Sequence, residues 1–210
     1  MKVPVCNVDL YILRDFLDAS ECAALVYLID ANCRPSRLMS KHPDPEFRTS
    51  ETCHLDPGVP VGCAVEFKLA DLLGIEPALG ERIQGQRYGA GEQYKAHHDF
   101  LRTSEPYWAL QEQIDGQRTW TAMVFLDVPE RGGETYFPLI EVKIPARRGS
   151  LIAWDNLAVD GEPNKATLHQ GLRVIAGVKH IITKWYRERP WGIRSKRCAV
   201  PSGMPPNERR

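Results

Sequence analysis

The sequence predicts an α+β chain that is mainly β, a jelly-roll (double-stranded β-helix) core buttressed by N-terminal helices. Two observations carry this. Two helical stretches with apolar faces lie before Gly80, and many short β-type segments follow it, separated by Gly, Pro and Asp/Asn. A third observation gives the core a chemical purpose. In QRYGAGEQYKAHHDF (86–100), an extended backbone puts His97 and Asp99 on one face and His98 on the other.

The N-terminal elements come first. Asp9 to Leu17 reads as an entry strand. Asp18 and Glu21 fit a capping box, and the helix after them places Cys22, Leu25, Val26 and Ile29 on one face. Residues 34–58 are polar, punctuated by Pro and Asp, and read as a binding loop. A second helix over 61–73 aligns Val61, Val65, Leu69 and Leu72, with Gly74 at its C′ position. The predicted organisation is a support region at 1–80 containing the 34–58 loop, a core at 81–191 and a basic, proline-containing tail at 192–210, within one structural domain.

Beyond Gly80, ERIQGQRY and EQYKAHHDF flank GAG and predict a hairpin. Residues 101–117 read as a polar and aromatic loop. RTWTAMVFLDV is a strong strand, followed by shorter ones through VKHIITKWYRE.

Composition excludes several function classes. Lys plus Arg and Asp plus Glu each number 27, a formal net charge of +0 that argues against a chain built to hold nucleic acid or anionic membrane. No apolar run reaches the length of a membrane span, and MKVPVCNVDL has no signal-type apolar core, so the cytoplasm is the expected location. The six cysteines show no C-x-x-C pair and are expected to be reduced. From Arg187 to Arg210, seven basic side chains face two acidic ones, a solvated charge run.

An imidazole and a carboxylate on one face supply two ligands of a 2-His-1-carboxylate site, and His169 is the leading candidate for the third. His98 points away on an extended strand. His180 reads as structural, and His42 and His54 sit in the polar loop. Lys179, ten residues past His169, falls in a strand after the break at Ala176-Gly177, and the turn is expected to bring it near the metal. Alternation alone does not choose its face, and Lys184 competes. A buried lysine calls for an anion. Phe125, Tyr136, Phe137 and Trp154 are candidates for a dry wall around the site.

The ordered motifs RYxxGExYxxHxD, GGETxFP and LHxGxxVxxGxKxxxTxW, with FLDASEC (16–22), FRTSE (47–51) and WYRERPW (185–191), resemble the prolyl 4-hydroxylase branch of the 2-oxoglutarate- and iron(II)-dependent oxygenases. The resemblance covers most of the chain. It implies His97, Asp99 and His169 as iron ligands and Lys179 as the partner of the far carboxylate of 2-oxoglutarate. Tyr88, Trp185 and Thr135 are implied as co-substrate pocket residues, and Arg48, Ser50 and Arg118 as substrate-binding positions. The implied cofactors are Fe(II), 2-oxoglutarate, O2 and L-ascorbate. The implied reaction hydroxylates a prolyl residue of a peptide or protein at the 4-position and yields succinate and CO2. The same chemistry on a free amino acid or small metabolite, a non-catalytic cupin-like binding module and nucleic-acid demethylation are the alternatives. No nucleic-acid or membrane partner is expected.

Overall fold

The computed structural model describes residues 1–38 and 42–191. The predicted tail at 192–210, and Cys198 with it, lies outside the described residues. Among the described residues, thirteen strands, β1 to β13, and three α-helices, α1 to α3, build a three-layer arrangement. The central layer is a seven-stranded sheet in the order β1 (Leu10–Leu13), β10 (Leu151–Asp155), β6 (Arg118–Asp127), β13 (Lys179–Arg187), β4 (Gln84–Tyr88), β3 (Glu51–His54), β2 (Arg34–Pro35). Facing it is a four-stranded sheet, β5 (Tyr94–His97), β11 (His169–Gly171), β8 (Thr135–Phe137), β9 (Val142–Ile144). A small pair, β7 (Arg131–Gly132) with β12 (Val174–Ala176), completes the jelly-roll core, and the described strand pairs are antiparallel.

Helices α1 (Ala19–Asn32) and α2 (Pro60–Leu73) cover the other face of the large sheet. The capping box forms as the sequence predicts: the Asp18 side chain accepts from the Ser20 and Glu21 amides, and Glu21 accepts from the Asp18 amide. Cys22, Leu25 and Ile29 are buried against the sheet. The helix lies so close that a Cβ on Gly85 would come within 2.5 Å of Ile29 Cγ1. In α2, Val65 and Leu69 are buried and Gly74 closes the helix at φ 66°, where glycine carries no Cβ penalty. Leu72 departs from expectation. It is 45% exposed, because the buried stripe of α2 ends at Leu69.

Two cores result, one between the large sheet and the helices, the other between the two sheets. Alternation along β13 serves both. Ile182 and Tyr186 join the helix-side core, while Ile181 joins the inter-sheet core.

Several readings need correction. β4 and β5 are no hairpin: the GAG turn carries the chain from the large sheet to the small one, so their hydrogen-bonding partners differ. The 34–58 segment is only partly loop, since β2 and β3 extend the large sheet through it. Within 101–117, Trp108–Ile114 forms the short helix α3, whose Leu110 and Ile114 remain exposed. Without a buried stripe, it leaves little periodic signal to read. The entry strand is also shorter than expected, ending at Leu13. Cys6, Cys22, Cys33 and Cys53 are free, but Cys63 is disulfide-bonded, against the expectation of reduced thiols throughout.

Asp18 holds two amide donors at the start of the helix that seals the first core. Asp18→Ala is expected to lower stability by about 1 kcal/mol, read as a shift in the urea midpoint at unchanged slope.

Candidate metal and co-substrate site

The small sheet brings the donor residues together. β5 ends at His97, which lies directly opposite His169 on β11. Asp99 follows in the bend just past β5. His97 Nε2 lies 3.8 Å from Asp99 Oδ1, and His169 Nε2 lies 3.8 Å from Asp99 Oδ2. The three residues offer donor atoms within 4.8 Å of one another, and all three are buried. At 3.8 Å these groups converge without hydrogen-bonding each other, an arrangement that a shared cation explains.

The ring orientations agree. His97 Nδ1 faces the Lys95 carbonyl at 2.8 Å and His169 Nδ1 faces the Thr167 carbonyl at 3.0 Å. Each Nδ1 therefore carries the proton, which leaves Nε2 as the lone-pair donor. Burial and the neighbouring His169 push the His97 imidazole well below its ordinary pKa, keeping it neutral and able to ligate. Burial works to raise Asp99, but His169, His97 and Arg118 hold it below the usual carboxylate value. The Trp185 indole N–H sits beside the same carboxylate, short of a hydrogen bond.

Facing these donors across a pocket is the large sheet. The pocket encloses about 390 Å³ of space, part of it open to solvent, and its walls include Tyr88, Thr135, Lys179 and Trp185. Lys179 is only 2% exposed, yet it has no hydrogen bond or ion pair with a described residue. Its ammonium lies over the rings of Tyr88 at 5.2 Å and Phe125 at 5.5 Å. Burial pushes its pKa down to about 8, with Glu134 pulling the other way. Thr135 Oγ1 and the indole nitrogens of Trp154 and Trp185 are buried without hydrogen-bond partners. A lone cation ringed by unsatisfied polar groups fits an anionic, oxygen-rich ligand such as a dicarboxylate.

The other candidates sort by face. Lys184 points to the helices and pairs with Glu66 at 2.6 Å. His180, on that side too, meets Asp30 at 2.9 Å. His98 turns away to the Lys165 carbonyl, and exposed His42 stacks on Phe47. Trp154 lines the pocket and contacts His169, whereas Phe125 and Phe137 belong to the inter-sheet core. Tyr136 lies outside the wall, under Lys143.

The three substrate candidates are already engaged. Arg48 donates to Ser50, Thr52 and Gln84 and stacks over Tyr94, which in turn stacks on His97 at 3.5 Å. Ser50 is buried against Ser36. Arg118 grips Glu81 with two hydrogen bonds and covers Trp185 at 4.0 Å, bracing the pocket wall. Sequence reasoning missed Gln86, Met123, Ile181 and Thr183 in the pocket. Counting in steps of two from Tyr88 and Lys179 finds Gln86, Ile181 and Thr183.

Residues 83–187 match the model of the 2OG-Fe(II) oxygenase superfamily, half of the chain, and the chain belongs to that superfamily. Within it, the similarity runs to prolyl 4-hydroxylases. Human prolyl 4-hydroxylase subunit alpha-1 is 33% identical over 130 residues, 62% of this chain and 24% of that protein, so the chain spans about a quarter of that relative's length. Prolyl 4-hydroxylase 1 of Arabidopsis thaliana is 28% identical over 200 residues, 85% of this chain and 68% of the relative. The crystal structure of the viral collagen prolyl hydroxylase vCPH from Paramecium Bursaria Chlorella virus-1, a 2OG complex, aligns with a TM-score of 0.66 at 30% identity, covering 85% of this chain and 95% of that one.

Lys179 also sets a pH signature. Its folded pKa of about 8 lies below the ordinary 10.5, so the unfolded chain binds the extra proton between those values. The cost of burying the charge is therefore full below about pH 8 and fades as pH rises toward 10.5. Lys179→Met is expected to raise stability at pH 7 by on the order of 3 kcal/mol. In denaturation across pH the gain is expected to shrink above pH 8.

Proposed function

We propose that this protein is an Fe(II)- and 2-oxoglutarate-dependent dioxygenase that hydroxylates a prolyl residue, at the 4-position, in a peptide or protein. The observation that carries the reading is the pairing of a converged His97/Asp99/His169 donor set with an unpartnered Lys179 in one pocket. His97, Asp99 and His169 would hold the metal, and Lys179 would take the far carboxylate of the co-substrate, with Thr135 and Tyr88 beside it. Iron and 2-oxoglutarate, when bound, supply the oxidising power that inserts one atom of O2 into a C–H bond and releases succinate and CO2. L-Ascorbate would serve to keep the metal reduced.

The chain's own residues do the placing and shielding. The carboxylate on Lys179 would relieve the penalty of its buried charge, so co-substrate binding is favoured by stabilisation of the protein itself. Met123, Ile181 and Trp154 line the pocket and keep water from the reacting carbon. Arg118, held by Glu81, fixes Trp185 at the wall. Arg48 and Tyr94 lie on the side of the donor set where the 42–50 segment packs, and they would meet the substrate there.

The choice of a prolyl peptide is supported by the names of the relatives at 28–33% identity. No helix among the described residues is long and apolar enough to cross a membrane.

With Fe(II), ascorbate and 2-oxoglutarate, proline-containing peptides are expected to stimulate succinate release, with a mass gain of one oxygen on proline. His97→Ala is expected to lower the rate to background. Stimulation by free proline alone would move the substrate to a small metabolite, and wild-type succinate release no higher than that of His97→Ala would sink the enzyme reading.

A further inference from the structure

The carboxylate of Asp99 is held from behind by Thr121, which Asn156 holds in turn. Thr121 on β6 donates its hydroxyl to Asp99 Oδ2 at 2.9 Å, and Asn156, just past β10, donates its amide to Thr121 Oγ1 at 2.9 Å. Both are fully buried. The direction of the chain is fixed by chemistry. An ionised carboxylate only accepts, so the Thr121 hydroxyl proton must go to Asp99. Having given its proton, Oγ1 can only accept in return, so the amide nitrogen of Asn156, not its oxygen, must face it. The backbone fixes the far end, where Asn156 N donates to the Thr119 carbonyl at 2.7 Å and the Asn156 carbonyl accepts from Asn164 N at 2.9 Å. This arrangement leaves Asn156 Oδ1 buried without a partner, a cost accepted to keep the amide turned inward.

Asp99 Oδ1, by contrast, accepts no hydrogen bond from a described residue. Oδ2 also lies 3.8 Å from His169 Nε2, within reach of the same cation, and we propose that Thr121 and Asn156 are positioning residues that engage Oδ2 and leave Oδ1 as the single metal donor. A carboxylate free to bind through both oxygens would take a position on the metal that the co-substrate or O2 needs. The relay therefore acts on coordination number, one step removed from the ligand. Outer partners of this kind tune metal affinity about as strongly as changes of tens-fold. The inference rests on the metal-site reading above.

The test uses Mn(II) as the probe, with no turnover. Metal affinity and water-proton relaxivity, which counts exchangeable waters on the ion, are measured for wild type, Thr121→Val, Thr121→Ser and Asn156→Ala. Thr121→Val keeps the shape and loses the hydroxyl. It is expected to bind Mn(II) about tenfold more weakly and with fewer exchangeable waters. Thr121→Ser is expected to match wild type, and Asn156→Ala to fall between. Unchanged affinity and water count in a folded Thr121→Val, or an equal loss in Thr121→Ser, would overturn the relay. Should Thr121→Val not fold, Asn156→Ala decides, and wild-type behaviour there overturns it. A wild-type chain that binds no Mn(II) would instead sink the metal-site reading itself.

Discussion

Strand β13 is buried along its whole length and on both faces, and the rest of the molecule is arranged around that fact. A strand with two dry sides cannot spend polar residues freely, yet this one carries Lys179, His180, Thr183, Lys184 and Arg187. Each needs its own arrangement. On the helix side His180 has Asp30 and Lys184 has Glu66. At its end Arg187 lies 3.7 Å from Glu81 and 3.6 Å from Asp115. Lys179 alone of these charged groups faces the inter-sheet pocket with no anion supplied. Two lysines five residues apart on one strand thus meet opposite fates, one neutralised within the protein and one reserved.

The small sheet solves a different problem. It must bring His97, Asp99 and His169, from two strands and a bend, into one place. The direct His97–His169 pairing does this with backbone register, which side-chain disorder cannot loosen. Backbone carbonyls of Lys95 and Thr167 then fix both rings. The large sheet contributes the lysine, the indole and the outer hydrogen bonds on Asp99. Neither sheet holds a site alone.

What was legible in the sequence follows from the range of the interactions involved. Local rules read well: the capping box at Asp18, the C′ glycine at Gly74, and the opposite faces of His97 and His98 all depend on residues within a few positions. The motif order pointed to His169 and Lys179 although both lie far from His97 in sequence. Pairing did not read. The GAG break looks the same whether the chain turns back on itself or crosses to another sheet, so it does not tell a β4–β5 hairpin from the crossover the structure has. Leu72 failed because helix periodicity identifies an apolar stripe and not where the sheet beneath it ends. Thr121 and Asn156 left no signal, since a threonine in a β-rich segment and an asparagine at its end are ordinary residues until their neighbours are known.

The segment around Phe47 has a practical consequence for anyone re-engineering the surroundings of the pocket. Its backbone is stitched to β5: Lys95 N donates to the Phe47 carbonyl at 2.8 Å, and Thr49 N donates to the Gln93 carbonyl at 3.1 Å. Lys95 also reaches Asp44 at 2.6 Å, and Phe47 packs edge-on against Tyr94, the ring stacked on His97. This segment and His97 therefore form one mechanical part. Transplanting a foreign loop here without residues 93–95 would strand backbone donors and acceptors beside His97, so the exchangeable module is the loop together with β5.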